Sequence, residues 1–149
     1  MTETGKKKFY IVSLMLIVLV AVLIRTWQFG TIPGGMNQDG AMAAVDAKAL
    51  AEYGTDRFGM RYPVHLTAWG YGQMSALMSY LMAPCIKLLG LSVFSARLPM
   101  LLVSLAALGM LALFAREAGG KPLLLIVFFF AAINPWHILQ SRWALDCNL

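Results

Sequence analysis

The sequence predicts an all-α integral membrane protein, with three transmembrane helices and interfacial helices in a large first outer loop. Three observations carry that expectation. Of 149 residues, 60% are apolar and 13% charged, and the mean hydropathy is +0.71; a soluble domain runs near half apolar and a quarter charged. This composition excludes a disordered chain, a basic nucleic-acid-binding domain and an ordinary cytosolic enzyme. The basic residues behind the net charge of +5 sit beside apolar runs, where they act as topology signals. The polar residues, in turn, gather in one stretch between Gly30 and Gly72.

Residues 1–8 are polar and end in Lys6, Lys7 and Lys8, which places the N-terminus in the cytoplasm. Residues 9–28 form the first transmembrane helix. A signal peptide would have a shorter apolar core and small residues after it; Arg25, Trp27 and Phe29 follow instead, so the segment reads as a retained signal anchor. Residues 29–96 are the outer, extracytoplasmic loop. Pro33, Gly34 and Gly35 end the first helix. A short helix is expected at 41–53, with Gly54 in the C-cap position. Residues 57–72 read as an ordered loop with Tyr62, Trp69 and Tyr71 as interfacial anchors. Residues 74–91 carry Pro84, Lys87 and Gly90 and read as a helix along the outer interface.

The turn at 117–120 decides between three and four crossings. Arg116 and Lys121 flank it against one Glu117, and a tight basic hairpin stays in the cytoplasm. Three crossings satisfy this, with the second and third helices at 97–116 and 121–136. Residues 137–149 then form an outer loop and the opening of a further helix, so the chain reads as the N-terminal part of something longer. Cys85 and Cys147 lie far apart without CxxC spacing, which fits unpaired cysteines better than a disulfide scaffold or a zinc site.

Five residues could carry chemistry. Asp39, in Asn37-Gln38-Asp39-Gly40, stands just outside the first crossing, where a carboxylate can accept a proton near a low-dielectric face. It also stands where a helix N-cap belongs. Asp146 lies four residues after Arg142, so the two can pair on one helix face or act at a membrane-adjacent site. Arg97 can bind phosphate through its planar fork or snorkel to the interface. His137 can donate to phosphate or hydrogen-bond at a helix end. No metal cluster, P-loop, GxSxG or HExxH is readable, and no cofactor is expected, although a divalent metal is compatible with the chemistry.

Together these pieces resemble the N-terminal part of a GT-C-fold membrane glycosyltransferase of the family 39 type, which includes protein O-mannosyltransferases and lipid A aminoarabinose transferases. The resemblance covers nearly the whole chain. It runs through an anchor helix, Asn37-Gln38-Asp39-Gly40, Leu88-Leu89-Gly90 followed by Ala96-Arg97-Leu98-Pro99, Asn134-Pro135-Trp136-His137, and Ser141-Arg142 with Leu145-Asp146. It implies a partial GT-C fold and a polyprenyl-phosphate-linked sugar donor. It also implies inverting transfer to a protein, lipid or glycan acceptor on the extracytoplasmic side of the cell membrane. In that picture Asp39 and Asp146 are the catalytic acids, and Arg97, with Arg142 and His137, meets the donor phosphate. Many relatives have Asp-Glu at the first motif, whereas here Gly40 follows Asp39. The alternative is a small non-enzymatic membrane protein, such as a transporter or an assembly subunit.

Overall fold

The computed structural model describes residues 2–68 and 72–145. The chain is mostly helical and divides into two compact units, one of residues 1–27 and 103–139, the other of residues 28–102 and 140–149. Two helices, α1 (Glu3–Thr26) and α4 (Val93–Ala132), are long and apolar enough to span a membrane. Pro33, Gly34, Gly35, Gly54 and Asn134 fall between helices, whereas Pro84 lies inside one, and the helix ends differ from those expected.

In the first unit, α1 begins where the Thr2 hydroxyl accepts from the Gly5 N–H, six residues before the expected start of the crossing. Phe9, Met15, Leu16, Leu19 and Leu23 are exposed along it. A soluble core helix would bury such side chains, at roughly 1.5–3 kcal/mol each, so this face calls for an apolar surrounding. The helical run of α4 is broken at Gly119 and Gly120, whose backbones are not helical, and the break gives two arms, 93–118 and 121–132. Leu108 and Ala112 of the first arm share one buried cluster with Leu124, Phe128 and Ala132 of the second and Ala21 of α1. Along a straight helix Leu108 and Phe128 would stand ~30 Å apart. Leu14, Ile17 and Ala21, which pack against the cluster, cover only ~10 Å of α1. The run therefore folds back at the glycine pair. The second arm closes at Ala132, short of the expected residue 136. Asn134 then caps a new helix, α5 (Pro135–Gln140), by accepting from the His137 N–H at 3.1 Å, with Pro135 at its first position.

In the second unit, α2 (Gln38–Tyr53) starts three residues before the expected 41, with Asn37 at the cap position and Gly54 in the left-handed C-cap conformation. The expected loop at 57–72 is in part a β-hairpin, a departure from an all-α chain. β1 (His65–Ala68) pairs antiparallel with β2 (Gly72–Ser75), Leu66 opposite Met74. Trp69 and Tyr71, expected as anchors, lie outside the described residues. The helix expected at 74–91 is α3 (Leu77–Leu89), because Met74 belongs to β2. α4 starts at Val93, four residues before Arg97. Ser92 and Ser95 exchange side-chain to backbone bonds of 3.0 and 3.1 Å, a reciprocal cap that fixes this start.

The core of this unit joins Ala43, Ala44 and Ala47 of α2 to Met78, Met82 and Ile86 of α3, with Ala96, Met100 and Ala144. Alanines on α2 let the two helices approach closely enough for the buried Ser79 hydroxyl to donate to the Ala43 carbonyl at 2.9 Å. The three methionines fill the irregular space opposite. Residues 141–145 are not helical, and 146–149 lie outside the described residues.

Candidate functional site

The Asn37–Gly40 turn leads into α2 and is held from both sides. The loop before it is fastened by arginines. Arg97, 1% exposed, sends one guanidinium nitrogen to the carbonyls of Phe29 (3.2 Å) and Ile32 (3.4 Å), and the other to Pro33 (2.8 Å) and Gly35. Arg142 Nε donates to the same Ile32 carbonyl at 3.0 Å. Phe29 is buried and meets Phe94 edge-on, ring centres 5.6 Å apart. A loop of this kind leaves carbonyls that no secondary structure satisfies, and a buried guanidinium with its fixed fork of donors answers several at once. Arg97 thus lies inside the protein instead of reaching outward. Burial lowers the pKa of Arg142.

On the other side of the turn, Gly40 is buried against the 141–145 segment. A Cβ there would stand 2.5 Å from the Ala144 carbonyl oxygen and 2.6 Å from Asn37 Oδ1. No side chain fits at position 40 while Asn37 and Ala144 keep their places. Asp39 is exposed in the first turn of α2, where the positive end of the helix dipole favours a carboxylate. It is not the cap residue; that position belongs to Asn37.

The structure thus brings Asp39, Arg97 and Arg142 onto one contiguous set of segments: the 28–37 loop, the start of α2, the start of α4 and residues 141–145. Asp146, two residues beyond Ala144, lies outside the described residues. His137 belongs to the first unit. There its Nδ1 is 2.9 Å from a guanidinium nitrogen of Arg25, which also donates to the carbonyls of Ala21, Ala131 and Ala132. A guanidinium only donates, so Nδ1 must accept and the imidazole proton sits on Nε2. Burial, then the Arg25 charge, lowers the His137 pKa.

Other polar groups of the second unit serve the fold. Asp46 is buried and accepts from the Arg57 backbone and guanidinium, both at 3.0 Å, while Arg57 also reaches the Thr67 carbonyl. Burial raises the Asp46 carboxyl, against the downward pull of Arg57. Asp56 closes a turn by accepting from Phe58 and Met60. Among the described residues no three His, Cys, Asp or Glu side chains group as a metal site. Sequence reasoning missed Arg25, whose signal was a lone cation at the end of an apolar run, and the steric demand at Gly40. Comparison with known proteins finds no matching family model, no matching curated protein and no matching solved structure.

Proposed function

We propose that this chain supplies the outer-face carboxylate of a membrane glycosyltransferase, one that moves a sugar from a polyprenyl-phosphate donor to an extracytoplasmic acceptor. The observation that carries the reading is Asp39: an exposed carboxylate in the first turn of α2, after a loop fixed by two buried arginines and beside the close approach of Gly40 to Ala144. Transfer chemistry needs a base held in place, because a misplaced group loses most of its effect. In this reading Asp39 takes the proton of the acceptor hydroxyl or amine as the anomeric carbon is attacked. The donor phosphate leaves with its negative charge at the interface, where cationic groups stabilise it. Arg97 and Arg142 act first as positioning residues for the loop, and their charge adds to the field that a lipid phosphate meets.

The membrane arrangement belongs to the same proposal. α1, the first arm of α4 and the second arm are the three crossings, with the N-terminus and the Gly119–Gly120 reversal in the cytoplasm. The second arm rises only ~18 Å against a hydrocarbon core of ~30 Å, so the bilayer thins locally beside it. The full engagement of Arg97 with backbone carbonyls favours the second reading, a non-enzymatic membrane subunit whose outer loop is simply well anchored. The two readings differ at one substitution. In the complete protein, Asp39→Asn keeps the size of the side chain but cannot accept a proton at neutral pH. Loss of sugar transfer with unchanged melting supports the enzyme, whereas full activity in that variant removes it.

A further inference from the structure

At the end of the first unit where α1 and the second arm of α4 both begin, there is a cavity of about 820 Å³. Lys6, Lys7 and Lys121 line it, with Glu3, Tyr10 and Leu125. Lys6 is paired with Glu3 at 3.0 Å. Lys121 stands 5.3 Å over the Tyr10 ring, which holds its ammonium at the cavity, and among the described residues it has no carboxylate partner. The Lys7 side chain has no hydrogen bond or ion pair among the described residues. Three cations against one anion leave the cavity positively charged, and its volume is in the range of a small-molecule site and far above that of a bare ion. Beyond it the exposed apolar side chains of α1 continue from Phe9 to Leu23.

We propose that this cavity binds the phosphodiester headgroup of an anionic membrane phospholipid, with the phosphate between Lys7 and Lys121 and the acyl chains along α1. Basic recesses between helices at a membrane surface select such headgroups, and each nearby lysine contributes about five-fold to the affinity. The inference rests on the reading of α1 as a membrane span.

The test uses the full chain in neutral detergent, with bound lipid counted by native mass spectrometry. The probes are dioctanoyl phosphatidylglycerol, dioctanoyl phosphatidylcholine and inorganic phosphate. The expected result is selective retention of phosphatidylglycerol that millimolar phosphate does not displace. Lys7→Ala and Lys121→Ala should each weaken it about five-fold, Lys7→Arg should retain it, and Lys8→Ala, which removes the same charge outside the cavity, should leave it unchanged. An equal loss in Lys8→Ala would mean general surface attraction and overturn the site. Displacement by inorganic phosphate would overturn the lipid as its ligand, and equal binding of the two lipids would overturn its selectivity. Flotation with phosphatidylcholine vesicles separates the two levels. A chain that fails to float defeats the membrane reading itself, and one that floats without preferring phosphatidylglycerol defeats only this proposal.

Discussion

Arg97 commits both terminal nitrogens of its guanidinium to four backbone carbonyls of the 29–35 loop, and Lys cannot spread donors over that distance. Arg97→Ala should therefore cost roughly 3 kcal/mol or more, and Arg97→Lys about 1–3 kcal/mol, read as thermal unfolding in detergent. Equal melting of Arg97→Lys and wild type would mean the loop does not depend on the fork. Gly40→Ala forces a Cβ against the Ala144 carbonyl oxygen and should cost about 1–3 kcal/mol by overpacking, checked in the same assay. His137 offers a pH test. Its folded pKa lies below its ordinary value, so its contribution is full above that ordinary value, ~6.5, and is lost as pH falls through the folded one. Acid should then destabilise the first unit, and His137→Gln should flatten that dependence; an unchanged slope in the variant would place the acid sensitivity elsewhere. Asp39 and Arg97 stood out in the sequence because a charge beside an apolar run is rare. What each one touches did not, since Arg97 is more than sixty residues from its carbonyls and nothing local encodes that pairing.

Among the elements, those set by local signals were the legible ones. Gly54 ends α2 because only a residue at ease with positive φ closes a helix in that way. The start of α4 was misplaced because a serine stands where a capping box usually has Glu or Gln, so Ser92 and Ser95 did not read as a cap. The hairpin was missed for a different reason: β1 and β2 are each four residues long, and a run so short gives no usable alternation. The reversal at Gly119–Gly120 is a local signal with a steric basis. Gly120 has φ 74° and ψ −167°, a region essentially closed to side-chain-bearing residues. Gly120→Ala should cost about 1–3 kcal/mol, seen as a lower melting temperature, and an unchanged melting temperature would mean that the reversal does not need this conformation. In a cysteine-free background, a cysteine at position 121 should resist an impermeant thiol reagent added from outside the cell; labelling there would remove the three-crossing arrangement.

Taken as a chain, the composition predicts a membrane protein, and the structure has two helices long and apolar enough to span a membrane, with many apolar side chains exposed along them. The division into two units was not legible, because it interleaves distant segments: residues 103–139 join α1, while 140–145 join the unit of residues 28–102. Site assembly has the same character. Asp39 and Arg142 come from opposite ends of the sequence, and only folding makes neighbours of the segments that carry them. Glycosyl transfer by an Asp39 carboxylate held on that assembly is open to a single decisive comparison. Membranes containing the complete protein, wild type or Asp39→Asn, are given a panel of isotopically labelled polyprenyl-phosphate monosaccharides, and label leaving the lipid is followed with time. The proposal predicts release in the wild type with one of the donors and none above background in Asp39→Asn, with the two proteins melting alike; equal release from both, or no release from any donor by the wild type, would contradict it.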